Sequence, residues 1–160
     1  MKNLTKNIAK IAIIASFGFA GFASAESTTG NAEVLILDTI SFVEDQVVDF
    51  GTWTAGTYNC DMAANGVISG VDAECTGLNA GTPGQITVSG TDGQFVTVSV
   101  GSGSTDNNVT YTPKLASGNP SDSVQLLGGS TVVNVIGNLD LAAATGGARA
   151  MTYTLTVDYQ

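Results

Sequence analysis

The sequence predicts an all-β domain, an antiparallel β-sandwich, and three observations predict it. Short segments alternate apolar and polar residues with a period of two, the pattern of a strand with one buried and one wet face. Turn-forming Gly, Asp, Asn and Pro break these segments at intervals of about ten residues, which suits a sandwich. No window beyond residue 25 sustains the i, i+3, i+4 apolar spacing of a helix.

The first stretch reads as an address. Lys2, Lys6 and Lys10 form a basic head, Ile11 to Phe22 is an apolar run, and Ala23-Ser24-Ala25 offers small residues for cleavage. That order is the pattern of a secretory signal, and the run is shorter than the roughly 20 residues a spanning helix needs. Residues 1–25 are expected to leave, with a single domain over 26–160 and no membrane span in it.

The remaining charge excludes some partners. Only Lys114 and Arg149 stand against all 14 acidic residues, a net charge of −12. A chain so acidic repels nucleic-acid phosphates and anionic lipid surfaces. The acidity suits a soluble exported protein. Cys60 and Cys75 are its two cysteines, and an even pair in an oxidising compartment reads as a disulfide.

Along the chain, Glu26 to Asn31 is small and polar, which suggests disorder. Ala32 to Val43 is strongly apolar, with Val34, Leu35, Ile36, Leu37, Ile40 and Phe42. A strand greasy on both faces must be covered on both sides. Phe50 and Trp53 bracket Gly51-Thr52 and read as core anchors beside a bulge, with a sugar-binding aromatic as the alternative. Asn59 to Gly81 alternates little and reads as a loop or loose hairpin tied by its cysteines.

The next strands follow from Ile86 and Val88, then Val96, Val98 and Val100. Thr91-Asp92-Gly93 between them is a hairpin signal. Val109 and Tyr111 suggest another strand, and Val133, Val135, Leu139 and Leu141 share one face of a further one. The last segment is the clearest: Tyr153, Leu155, Val157 and Tyr159 face one way, and Thr152, Thr154, Thr156 and Asp158 the other.

The residues for catalysis are sparse. There is no histidine, which removes Ser-His-Asp and Cys-His nucleophiles and most catalytic zinc sites. Glu44-Asp45 and Asp72 with Glu74 are near-adjacent acids, read as solvated rather than as a glycosidase pair. Asp106-Asn107-Asn108 has oxygen ligands for calcium but lacks a binding-loop spacing, and reads as a turn. The expectation is no enzyme, no metal and no cofactor.

Three stretches carry a resemblance. Asp49-Phe50-Gly51-Thr52 follows an apolar first segment; Gln85-Ile86-Thr87-Val88-Ser89-Gly90 runs into Phe95-Val96-Thr97-Val98-Ser99-Val100; and Tyr153 to Gln160 ends the chain. Over most of residues 32–160 this order resembles a secreted bacterial family of unknown function, similar to spore coat protein U and to chaperone–usher pilins. The resemblance implies an immunoglobulin-like sandwich lacking its last strand, completed by a neighbour's N-terminal segment. It implies a structural subunit of a pilus or fimbria-like fibre. Val34, Ile36 and Ile40 would be the donated residues, and Tyr153, Leu155, Val157 and Tyr159 would line the acceptor groove. Partners would be other copies of the chain and a periplasmic chaperone, and the location the periplasm in transit, then the cell surface or medium. Two readings of the segment over 32–43 stay open: a strand given to a neighbour, or the domain's own first strand. The alternative function is a monomeric adhesin-like module that recognises glycan or host protein through Trp53 and the Cys60–Cys75 loop.

Overall fold

A computed structural model describes residues 33–76 and 80–160. The expected signal peptide and residues 26–32 lie outside the described residues. The chain divides into two units, Met1–Leu35 and Ile36–Gln160. Of the first unit, Glu33, Val34 and Leu35 are described; they are exposed and carry no regular structure.

Among the described residues the second unit holds ten strands: β1 (Ser41–Gln46), β2 (Gly56–Met62), β3 (Ile68–Gly70), β4 (Gly84–Ser89), β5 (Phe95–Val100), β6 (Thr105–Asp106), β7 (Val109–Leu115), β8 (Ser121–Gln125), β9 (Ser130–Ala144) and β10 (Leu155–Tyr159). All pairings are antiparallel and form two sheets, one of seven strands and one of three in the order β10-β5-β8.

The long β9 organises the larger sheet. Along one edge it pairs β4 over Ser130–Val135 and then β2 over Gly137–Ala144; along the other it pairs β7 over Val135–Leu141. Val135 takes both Gly84 and Leu115 as partners, which puts β4 and β7 on opposite sides. β1 is added outside β4, and β3 outside β2.

The period-two pattern shows why these segments pack as they do. Val96, Val98 and Val100 of β5 are buried against Ile86 and Val88 of β4, Leu115 of β7, and Val133 and Val135 of β9. The cluster draws on both sheets, so it fills the space between them. Each such side chain contributes about 1.5–3 kcal/mol on burial. A second cluster lies further along β9, where Leu139 and Leu141 meet Val109, Tyr111, Met62, Ile68, Phe50 and the two cysteines.

Three expectations meet a different structure. The strand expected over 32–43 is displaced: residues 33–40 form no strand, and pairing starts at Ser41. An extended segment pairs as a strand only where successive backbone groups meet another strand, and among the described residues this one makes backbone hydrogen bonds only at Asp38, to the side chains of Thr91 and Tyr159. Cys60 lies not in a loose loop but near the end of β2, which pairs β9 along most of its length and β3 over Cys60–Met62, the hairpin alternative. Tyr58, Cys60 and Met62 do alternate with Thr57, Asn59 and Asp61, a signal that the reading of the sequence missed. Thr91-Asp92-Gly93 does not close a hairpin, because β4 and β5 belong to different sheets. Asp92 instead accepts hydrogen bonds from Gly128 N–H and Gly129 N–H at 2.8 and 3.3 Å, tying the crossover to the turn before β9.

Candidate functional site

The site is an unpaired strand edge with an apolar slot beside it. β10 pairs β5 from Leu155 opposite Val100 to Tyr159 opposite Val96. Gly101 N–H donates to Thr154 O at 2.9 Å, and Gln160 N–H donates to Phe95 O at 3.1 Å. In an antiparallel ladder hydrogen-bonded and non-hydrogen-bonded pairs alternate. The even-numbered residues of β10 therefore face β5, while Leu155, Val157 and Tyr159 turn their N–H and C=O groups to the other edge. No strand among the described residues pairs with that edge. The strand carries one charged residue, Asp158, and no proline to discourage pairing.

Across the gap lies β1. Phe42 is opposite Val88 and Glu44 opposite Ile86. Directly opposed residues share a face, and Val88 and Ile86 point into the core, so Phe42 and Glu44 face inward too. Phe42 is nonetheless 53% exposed, because none of the described residues covers β1 there. A slot of about 280 Å³ lies between the two strands, with Ile86 of the core among its walls and Phe42, Glu44, Tyr153 and Leu155 beside it.

The two ends of the slot differ. At the Tyr159 end, the phenol accepts a hydrogen bond from Thr91 N–H at 2.7 Å and donates to Asp38 O at 2.9 Å. Ile40 packs on the core there. At the other end, a chamber of about 810 Å³ lies between the loops 47–55 and 144–151 and the sheet surface around Leu139 and Leu141. Glu44, Met151 and Tyr153 line both spaces. Phe50, Tyr111 and Tyr153 form a run of edge-to-face rings in the chamber wall, 5.7 and 6.0 Å between centroids.

Tyr111 and Tyr153 are electrostatically unlike ordinary phenols. Burial pushes Tyr111 well above the usual phenol range, with Tyr153 adding to the effect. Its hydroxyl donates to Ile136 O at 2.9 Å. Tyr153 is also raised, by burial first and then by the carboxylate of Glu44. Its hydroxyl oxygen is buried and makes no hydrogen bond of ordinary geometry.

The residues singled out in the sequence fall as follows. Tyr153, Leu155, Val157 and Tyr159 are half-buried and pack against the core from the β10 side. Val34 and Ile36 are 83% and 81% exposed. Ile40 differs from both, since its own core holds it. Cys60 and Cys75 form a disulfide with Cα atoms 5.5 Å apart, joining β2 to the 3-10 turn Ala73–Cys75. Trp53 lies in the chamber wall and donates its Nε1–H to Phe50 O at 2.8 Å. Asn107 and Asn108 form the two-residue turn between β6 and β7, both at positive φ. Phe42, Glu44 and Met151 were missed as site residues. Only the register of β1 on β4 reveals that Glu44 faces inward while Asp45 turns out to meet Thr87 Oγ1 at 2.6 Å.

No protein-family model, curated protein or solved structure matches the chain.

Proposed function

We propose that the chain is a structural subunit of a cell-surface pilus or fimbria-like fibre, exported by an N-terminal signal and assembled by β-strand exchange. One observation carries this reading: among the described residues the outer edge of β10 has no partner beside an open apolar slot, while the apolar run Val34–Leu37 is exposed. An open edge and an uncovered apolar segment in one chain complement each other in the next. The donated run is then Glu33–Leu37, led by Val34 and Ile36, with Ile40 left seated at home. A periplasmic chaperone would cover the β10 edge before assembly.

The strand order supports an immunoglobulin-like reading. β1-β4-β9-β7 follows the A-B-E-D order of such a sandwich, and β5 with β10 follows C-F. The place beside F, where strand G belongs, has no occupant among the described residues.

The test compares residues 26–160 with a variant lacking 26–40 by size exclusion and negative-stain microscopy. The full domain is expected to form fibres or oligomers, and the shortened one to stay monomeric and melt higher when a 26–40 peptide is added. Unchanged assembly and stability in the shortened chain would end the proposal. The chamber beside Trp53 favours a second reading, a monomeric adhesin-like binding module; a strictly monomeric 26–160 with a high melting temperature would support it.

A further inference from the structure

The chamber beyond the slot has features that a donated strand does not require. Its wall is largely aromatic and aliphatic, with Glu44, Asp49 and Arg149 as its charged members, and at about 810 Å³ it lies within the roughly 300–1,000 Å³ range of small-molecule sites. Arg149 is part of that wall. It is one of two basic residues beyond position 25, and no carboxylate pairs with it among the described residues. Its Nη atoms are folded back on Ala148 O and Thr145 O at 3.0 and 2.7 Å, which are neutral acceptors. Its Nε is buried without a partner, and the Tyr153 hydroxyl is buried with only the Glu44 carboxylate beside it, short of ordinary hydrogen-bond geometry. Of three such side-chain atoms among the described residues, these two belong to residues that line one space. Buried polar groups are ordinarily satisfied, so a wall that gathers the exceptions points to a missing group.

We propose that this chamber binds an elongated apolar molecule ending in a carboxylate, of the fatty-acid class. The apolar body lies against Phe50, Trp53, Tyr111 and Leu139. The carboxylate takes hydrogen bonds from Arg149, whose fork suits that group, after the side chain swings out from its own loop. Glu44 at the slot end repels a second anion and sets the ligand's direction.

Trp53, the only tryptophan, lies in the wall and reports occupancy by its fluorescence. Residues 26–160 are titrated with dodecanoate, dodecanol and dodecyltrimethylammonium below their micelle concentrations. Dodecanoate is expected to give a saturable change and to bind about tenfold more tightly than the cation, the worth of one charge-assisted hydrogen bond. Arg149→Gln is expected to remove that preference, and Arg149→Lys to keep most of it. Should the Gln variant fail to melt cooperatively, loss of dodecanoate affinity with rising salt in the unaltered protein gives the same readout. Absence of a saturable signal, equal binding of both head groups, or an Arg149→Gln variant that still prefers the anion would overturn the proposal. Displacement of dodecanoate by a 26–40 peptide would also overturn it and assign the chamber to the donated strand. The strand-exchange reading is judged separately, by the assembly of the shortened chain.

Discussion

The hydroxyl of Tyr159 donates to the carbonyl of Asp38, 121 positions earlier in the chain, at 2.9 Å. The same oxygen accepts from Thr91 N–H. One phenol thus joins the last strand, the stretch before β1 and the crossover after β4. It closes one end of the slot and fixes where the N-terminal segment leaves the domain.

Tyr159→Phe removes both bonds and leaves Thr91 N–H and Asp38 O to find water. The expected loss is about 1–2 kcal/mol, seen as a melting temperature lower by roughly 3–6 °C. A melt that does not move would show that solvent replaces the phenol at no cost.

Proline distinguishes the two edges of β10. Val157 has its N–H on the free edge, whereas the Thr156 N–H belongs to the β5 ladder by the alternation set at Thr154 and Gln160. Val157→Pro is expected to block assembly with a modest loss of stability, and Thr156→Pro to destabilise the fold by about 3 kcal/mol or more. Chemical denaturation and electron microscopy of the two variants check this. Equal assembly by the Val157→Pro protein would remove the free edge from the mechanism.

The disulfide closes a loop with a sequence separation of 15, and both its cysteines are buried. Replacing both by serine is expected to cost about 3 kcal/mol. The loss should appear as a lower urea midpoint, and thiol reagents should find no reactive group in the native protein. Because β2 is laddered to β9 independently of the bridge, the variant should retain its β-sheet circular dichroism.

Alkaline pH should weaken the fold through Tyr111 and Tyr153. Both have folded values raised by burial, while in the unfolded chain they ionise near the ordinary value of about 10. Their contribution is full below that value and is lost as pH rises through the folded ones. Denaturant midpoints measured from pH 8 to 12 should therefore fall above about pH 10. Tyr153→Phe should flatten that fall. A phenolate absorbance titration in which all four tyrosines ionise together near 10 would contradict the burial argument.

Period-two spacing made the chemistry of single strands readable. Tyr153, Leu155, Val157 and Tyr159 face one way because the pleat places alternate side chains on one side, and they do so in the structure. Cys60 and Cys75 were legible as a pair from their number and from the expected compartment, and they are joined. What one strand meets is set by partners far away in sequence. Glu44 and Asp45 look alike in the sequence, yet only pairing with β4 sends one inward and the other toward Thr87. Asp92-Gly93 looks like a hairpin turn, but burying Val88 and Val96 from two facing sheets makes it a crossover.

The sequence by itself determined that the chain is β-rich, acidic and bridged, and which residues of the last strand face the core. Only the tertiary structure decided that this strand lies at an edge, that a slot and a chamber open beside it, and that Val34–Leu37 is left exposed. The reason is that side-chain alternation is local, whereas the pairing of backbone donors and acceptors depends on which distant segments arrive alongside.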